Sequence, residues 1–193
     1  CFFFFFNDTA TTEIYTFPTR RPSDLMNNKF IERRRPENAL LRKRIDDLLA
    51  QGNSFLKKNL KDLDISDYKY RIEEAIEELS LDEETVRQLI EDYIIQILKS
   101  KILFYKYIDE LEKNISLNKI PDYTSIRELA HKNLGVVKNL RITDAREILV
   151  ELMKKDDLDH LRSCVKALEI SAVRLNPLCA YETLRLMDVK NSL

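Results

Sequence analysis

The chain has 193 residues, with 32 Lys and Arg against 33 Asp and Glu, a formal net charge of −1. That balance gives no electrostatic footprint for nucleic acid or an anionic membrane surface. Charged residues make up 34%, only two residues are glycine and none is tryptophan, which suits an all-α protein with few loops.

Residues 1–25 do not read as natural protein. Asn7 to Thr16, NDTATTEIYT, resembles the translation of a common sequencing adapter. Phe17 to Leu25, FPTRRPSDL, resembles the same adapter in another frame, and Phe2 to Phe6 a translated homopolymer. We expect 1–25 to be a non-native, disordered artefact and exclude it from fold reasoning. A signal peptide does not fit, because no basic region precedes the phenylalanines and the run is short. It is also too short to span a bilayer. Without 1–25 the charges remain in balance.

Residues 26–66 are expected to form a helical extension or linker. Phe30-Ile-Glu-Arg-Arg-Arg35 is a short basic run of the solvated-helix kind, and Pro36 suits the first turn of the next helix. Leu40, Leu41, Ile45, Leu48 and Leu49 follow helical spacing. Gly52-Asn53 reads as a stop, and Phe55, Leu56, Leu60 and Leu63 as a second short helix. This unit has three uses open to it: pairing with itself, packing on the rest, or linking to an upstream domain.

Tyr68 to Leu79 has Ile72, Ala75, Ile76 and Leu79 on one side and is expected to be helical. Ser80-Leu-Asp-Glu83 has capping-box spacing. Val86, Leu89, Ile90, Tyr93, Ile94, Ile97 and Leu98 then form an apolar stripe, continued by Ile102, Tyr105, Ile108, Leu111 and Ile115. Neither Pro nor Gly interrupts it, so periodicity describes one long helix. Asn114 to Tyr123 is a loop closed by Pro121.

The next helix is the most informative. Ser125-Ile-Arg-Glu128 has capping-box spacing, with Asp122 as a second candidate cap. At about 100° per residue, Ile126, Leu129, Val136, Val137 and Leu140 gather on one side. His131 falls opposite. Arg127, Gly135 and Lys138 lie at i−4, i+4 and i+7, within about 40° of its direction. Glycine inside a helix costs roughly 1 kcal/mol against alanine, and here it removes the side chain that would stand over the imidazole. Asn139 to Thr143 is a turn. Asp144 can cap a helix through Ile148, Leu149 and Leu152. Lys154 to Asp157 is a second turn with a fresh cap, followed by Leu158, Leu161, Val165, Leu168 and Val173. Asn176-Pro177 breaks the pattern, and Leu178 to Met187 reads as a terminal helix.

Ala130-His131-Lys132-Asn133-Leu134-Gly135 resembles the phosphorylation motif of histidine phosphotransfer (HPt) domains, A-H-x-L-K-G. The likeness spans roughly Leu79 to Arg174 and includes Leu81–Ile90, Arg127–His131 and Ala145–Asp157. It implies a four-helix up-down bundle over 67–176, flanked by the extension and by a C-terminal helix and tail at 177–193. It also implies two helices, bent near Lys99–Lys101, where periodicity describes one. By the same resemblance His131 is the phosphoacceptor, carrying a phosphoryl group between receiver-domain aspartates. Lys132, Leu134, Gly135, Lys138 and Arg127 would contact the phosphoryl group or the receiver, with Lys138 the best-placed cation and Leu134 on the histidine face.

The implied partners are response-regulator receiver domains, with a hybrid histidine kinase as a further candidate. The resemblance implies no cofactor held by the chain itself, with Mg²⁺ coming from the receiver. It would be a cytoplasmic phosphocarrier in two-component signal transduction and not a stand-alone enzyme. Two positions depart from the motif. Asn133 and Leu134 stand where the family has leucine and lysine, and Asn133 projects toward the apolar face, where an unpaired amide is costly. The alternative reading is an HPt-like adaptor that docks receivers without transfer. A third is an oligomerisation module acting through 37–63.

Other chemistries lack their motifs. Cys164 and Cys179 are too sparse for a disulfide framework, and they read as reduced core thiols. His131 and His160 have no metal-ligand pattern around them, and His160, in a charged first turn, reads as a surface or capping residue. Neither a phosphate-cradling glycine loop nor a serine or cysteine triad motif is present.

Overall fold

The computed structural model describes the backbone of residues 35–191 and the side chains of 43–187. The adapter-like 1–25, the 26–34 part of the basic extension, and the side chains of Leu40 and Leu41 lie outside the described residues. The chain divides into two units between Arg42 and Lys43.

The described residues form seven helices and no strand, so the protein is all-α. In chain order these are α1 (Arg35–Asn59), α2 (Ile72–Leu79), α3 (Glu83–Ser116), α4 (Thr124–Asn139), α5 (Thr143–Lys154), α6 (Leu158–Leu175) and α7 (Pro177–Asn191). Among the described residues no helix is long and apolar enough to cross a membrane.

In the unit from Lys43 onward, α3 packs on α4, α4 on α5, α5 on α6, and α6 back on α3. The short α2 rests on α3 and α4, and α7 on α3 and α6. One core runs through all of them, including Tyr93, Ile97, Phe104, Val137, Leu149, Leu168 and Ala180. It also takes in Leu56, Leu60 and Ile65. No structural boundary therefore falls at the expected residue 66, and of the three uses open to this stretch, residues 43–66 take the second and pack on the rest. Likewise Ala180 ties α7 into the same core.

Several local expectations are corrected. Gly52 does not stop a helix, since α1 runs through it to Asn59. Its role is close packing: a Cβ there would sit 2.8 Å from Ile170 Cγ2 on α6. Helix α3 is continuous over 34 residues, about 50 Å, with no break near Lys99–Lys101. Ile102 and Ile115 are exposed and Phe104 takes the core position, because the buried stripe advances through Leu98, Phe104, Ile108 and Leu111. Asp82, not Ser80, caps α3, accepting from the Thr85 N–H at 2.9 Å. Ser80 instead ends α2 in the left-handed region, φ 53°. Tyr68 and Tyr70 precede α2 and are not part of it.

Other signals stand as expected. Asp157 caps α6, accepting from the His160 N–H at 2.6 Å. Asn176 separates α6 from α7 and accepts from the Cys179 N–H at 3.1 Å.

Candidate functional site

Helix α4 is held at its start, its middle and its end. At the start Asp122 Oδ1 accepts from the Thr124 N–H at 2.9 Å, and the Thr124 bonds hold its carboxyl below the usual range. The N-cap position itself is Tyr123, without a side-chain cap bond, so neither Asp122 nor Ser125 is the cap residue. Asp122 lies one residue before it and serves the N–H of the first helical residue, and Ser125 lies inside the first turn. Tyr123 Oη donates to the Asp156 carbonyl at 2.9 Å, and Arg127 Nη2 reaches Asp156 Oδ1 at 2.6 Å. The guanidinium lies over the Tyr123 ring, 5.3 Å from its centroid. Together these fasten the α5–α6 turn to the start of α4.

In the middle, Asn133 is wholly buried. Its amide is paired: Nδ2 donates to the Leu129 carbonyl at 2.8 Å, and Oδ1 accepts from Gln96 Nε2 of α3 at 3.0 Å. The unpaired amide feared for an apolar face is avoided by a partner 37 residues away, which no local pattern reveals.

At the end, two phenols serve carbonyls that the helix leaves without partners. Tyr70 Oη donates to the Leu140 carbonyl at 2.9 Å, and Tyr68 Oη to the Arg141 carbonyl at 3.1 Å. Tyr68 Oη also accepts from the Thr143 N–H at 3.2 Å, so one hydroxyl joins the end of α4 to the start of α5. Arg141, in the left-handed region at φ 55°, forms an ion pair with Glu78 of α2. Burial pushes the Tyr70 phenol up to about 12 and raises that of Tyr68.

The buried stripe of α4 is Ile126, Ala130, Asn133, Leu134, Val137 and Leu140. His131, Lys132, Gly135 and Lys138 are exposed, and Arg127 is partly exposed. The structure therefore brings His131, Gly135 and Lys138 to one open face with Arg127 one turn before the histidine. Leu134 is the exception. It is 6% exposed and belongs to the core, so it does not sit on the histidine face and offers little to a partner. The expected apolar partner contact at 134 is corrected for that reason.

Gly135 has ordinary helical backbone, and a Cβ placed there would meet nothing within 4 Å. Packing does not demand this glycine. Side chains on a helix lean toward its N-terminus, so a side chain at 135 would cover the ground around His131. The glycine leaves that ground uncovered.

No protein-family model matches the chain, and neither a curated protein nor a solved structure matches it.

The remaining candidate groups have structural roles. His160 Nε2 lies 3.2 Å from Glu151 Oε2, linking α6 to α5. Cys164 is buried and its thiol is pushed up to about 12, while burial takes Cys179 to about 11. Both are free thiols held in the unreactive form. Four residues that shape the site went unnoticed in the sequence: Gln96, Tyr123, Asp156 and Tyr70. Only Asp156 carried a signal, the acidic pair ending the α5–α6 turn.

Proposed function

We propose that the chain is a phosphocarrier of the HPt kind, with α3 to α6 as a four-helix up-down bundle and His131 as the phosphoacceptor. The observation that carries this is the open helix face of α4: an exposed histidine beside a glycine that packing does not require. Three-residue connections at 140–142 and 155–157 favour antiparallel neighbours among α4, α5 and α6.

On this reading the unprotonated ring nitrogen of His131 attacks the phosphorus of a receiver's aspartyl phosphate. The N–P bond forms, the acyl P–O bond breaks, the aspartate leaves as carboxylate and the ring sheds its N–H proton. The receiver supplies Mg²⁺ and most of the charge stabilisation; α4 supplies a positioned nucleophile. The reverse step passes the group to a second receiver. A hybrid kinase would feed the relay, in the cytoplasm, with no nucleic acid or membrane partner. The protein would turn over no substrate alone.

The test is transfer from a phosphorylated receiver domain to the chain. Acid-labile phosphate on the wild type and none on His131→Gln is the expected result; no label with several receivers would sink the carrier reading. The second reading, an adaptor that docks without transfer, is favoured by one observation. Position 134, where the family has its lysine, is a core leucine here. Binding of receivers without label would select it.

A further inference from the structure

The carrier reading leaves open what the bundle does once His131 is loaded, and Arg127 suggests an answer. Its guanidinium is already engaged, through Nη2, with Asp156 Oδ1 at 2.6 Å. That pair is solvent-accessible on both sides, with the side chains 43% and 62% exposed. Exposed ion pairs of this kind contribute little energy each, so a stronger anion nearby can compete for the guanidinium. The Arg127 Nε is in a different position. It is shielded from solvent and has no acceptor among the described residues. A shielded donor without an acceptor is a group whose present arrangement is not its best one.

Arg127 stands one turn before His131 on the same face, and i, i+4 side chains are neighbours. His131 leans back toward that turn. A phosphoryl group on its ring would bring about −1.5 to −2 charges and three strong acceptors over Arg127. Arginine meets phosphate through paired donors, Nε among them, which a single Asp156 oxygen does not provide. Lys138, two turns on, lies in the opposite direction from the lean of the ring.

We propose that phosphorylation of His131 draws Arg127 off Asp156 and onto the phosphoryl group. The α5–α6 turn, residues 155–157, then loses one tie to the start of α4 and keeps the Tyr123 bond to the Asp156 carbonyl. The turn thereby reports the loading state of the histidine to whatever binds that end of the bundle. This rests on His131 being a phosphoacceptor, but its test does not need a receiver.

Phosphoramidate labels accessible histidines directly: the ring nitrogen displaces ammonia, which leaves with the ring proton as ammonium. The full chain would be labelled in this way, with His131→Gln as control, and followed by ¹H–¹⁵N NMR. The expected result is a shift of the Arg127 Nε–H signal together with shifts of the Asp156 and Asp157 amides. In Arg127→Gln the changes would stay within α4. In Asp156→Asn the Arg127 signal would still move but the turn amides would not. A phosphohistidine at 131 with unmoved Arg127 and Asp156 signals would overturn the exchange and leave the carrier reading standing. Failure of phosphoramidate to label His131 would remove the accessible nucleophile, and both with it.

Discussion

At the scale of single residues, two glycines in one all-helical chain serve opposite ends. Gly52 is required by contact, whereas Gly135 faces open space. Gly135→Ala should therefore stabilise the protein, by about 0.5–1 kcal/mol from helix propensity alone, measured by urea unfolding. The same variant should slow transfer from a phosphorylated receiver, because the added methyl covers approach to the ring. More stability with unchanged transfer would mean the glycine serves no partner. The exposed face of α4 was legible in the sequence, because His131, Gly135 and Lys138 obey simple helix periodicity. Leu134 was misplaced for a physical reason. The buried stripe is centred on Ala130 and Asn133, and a polar Asn133 hides that centre until Gln96 is known to answer it.

At the scale of elements, α1 and α6 meet at Gly52 and Ile170. Gly52→Ala should destabilise by about 1–3 kcal/mol, since the Cβ would press on a stiff β-branched side chain. Ile170→Val in the same chain leaves the offending Cγ2 type in place, whereas Ile170→Ala should recover part of the loss. Calorimetry of both double variants would separate them. The turn between α4 and α5 makes a second prediction. The folded Tyr70 phenol titrates at about 12, above an unfolded value of about 10. Its contribution is fully present below about pH 10 and is lost as pH rises through about 12. Tyr70→Phe should flatten that part of the stability profile, read from urea midpoints across the alkaline range. Neither feature could be read from the sequence. A glycine followed by asparagine looks like a helix stop, and tyrosines ahead of an apolar repeat look like its first turn. What decides both cases is a contact more than sixty residues away.

For the whole molecule, the core makes no distinction between residues 43–65 and the helices after them. Leu56, Leu60 and Ile65 are each at most 3% exposed. A fragment of 66–193 should therefore lose cooperative folding or melt far below a 43–193 fragment, as followed by circular dichroism. Equal melting of the two would show that the early helix contributes little. The fold class was legible because composition and uninterrupted periodicity agree over most of the chain. The boundary was not, because the sequence between Asn59 and Ile72 is polar and turn-rich and yet is gripped from afar. Arg174 alone donates to the Ile65 carbonyl at 2.7 Å, to the Ser66 carbonyl at 2.5 Å and to Asn53.

That grip sets an order in time. Arg174 and Asn53 are 121 residues apart, so on a ribosome the end of α1 emerges long before the helix that receives it. Contacts α4–α5 and α5–α6, separated by short turns, can close as soon as they are made. The Gly52 side of α1, which meets Ile170, has to wait for α6 to be synthesised. During that interval this side of α1 stays uncovered on the nascent chain, until α6 has been made and can dock against it.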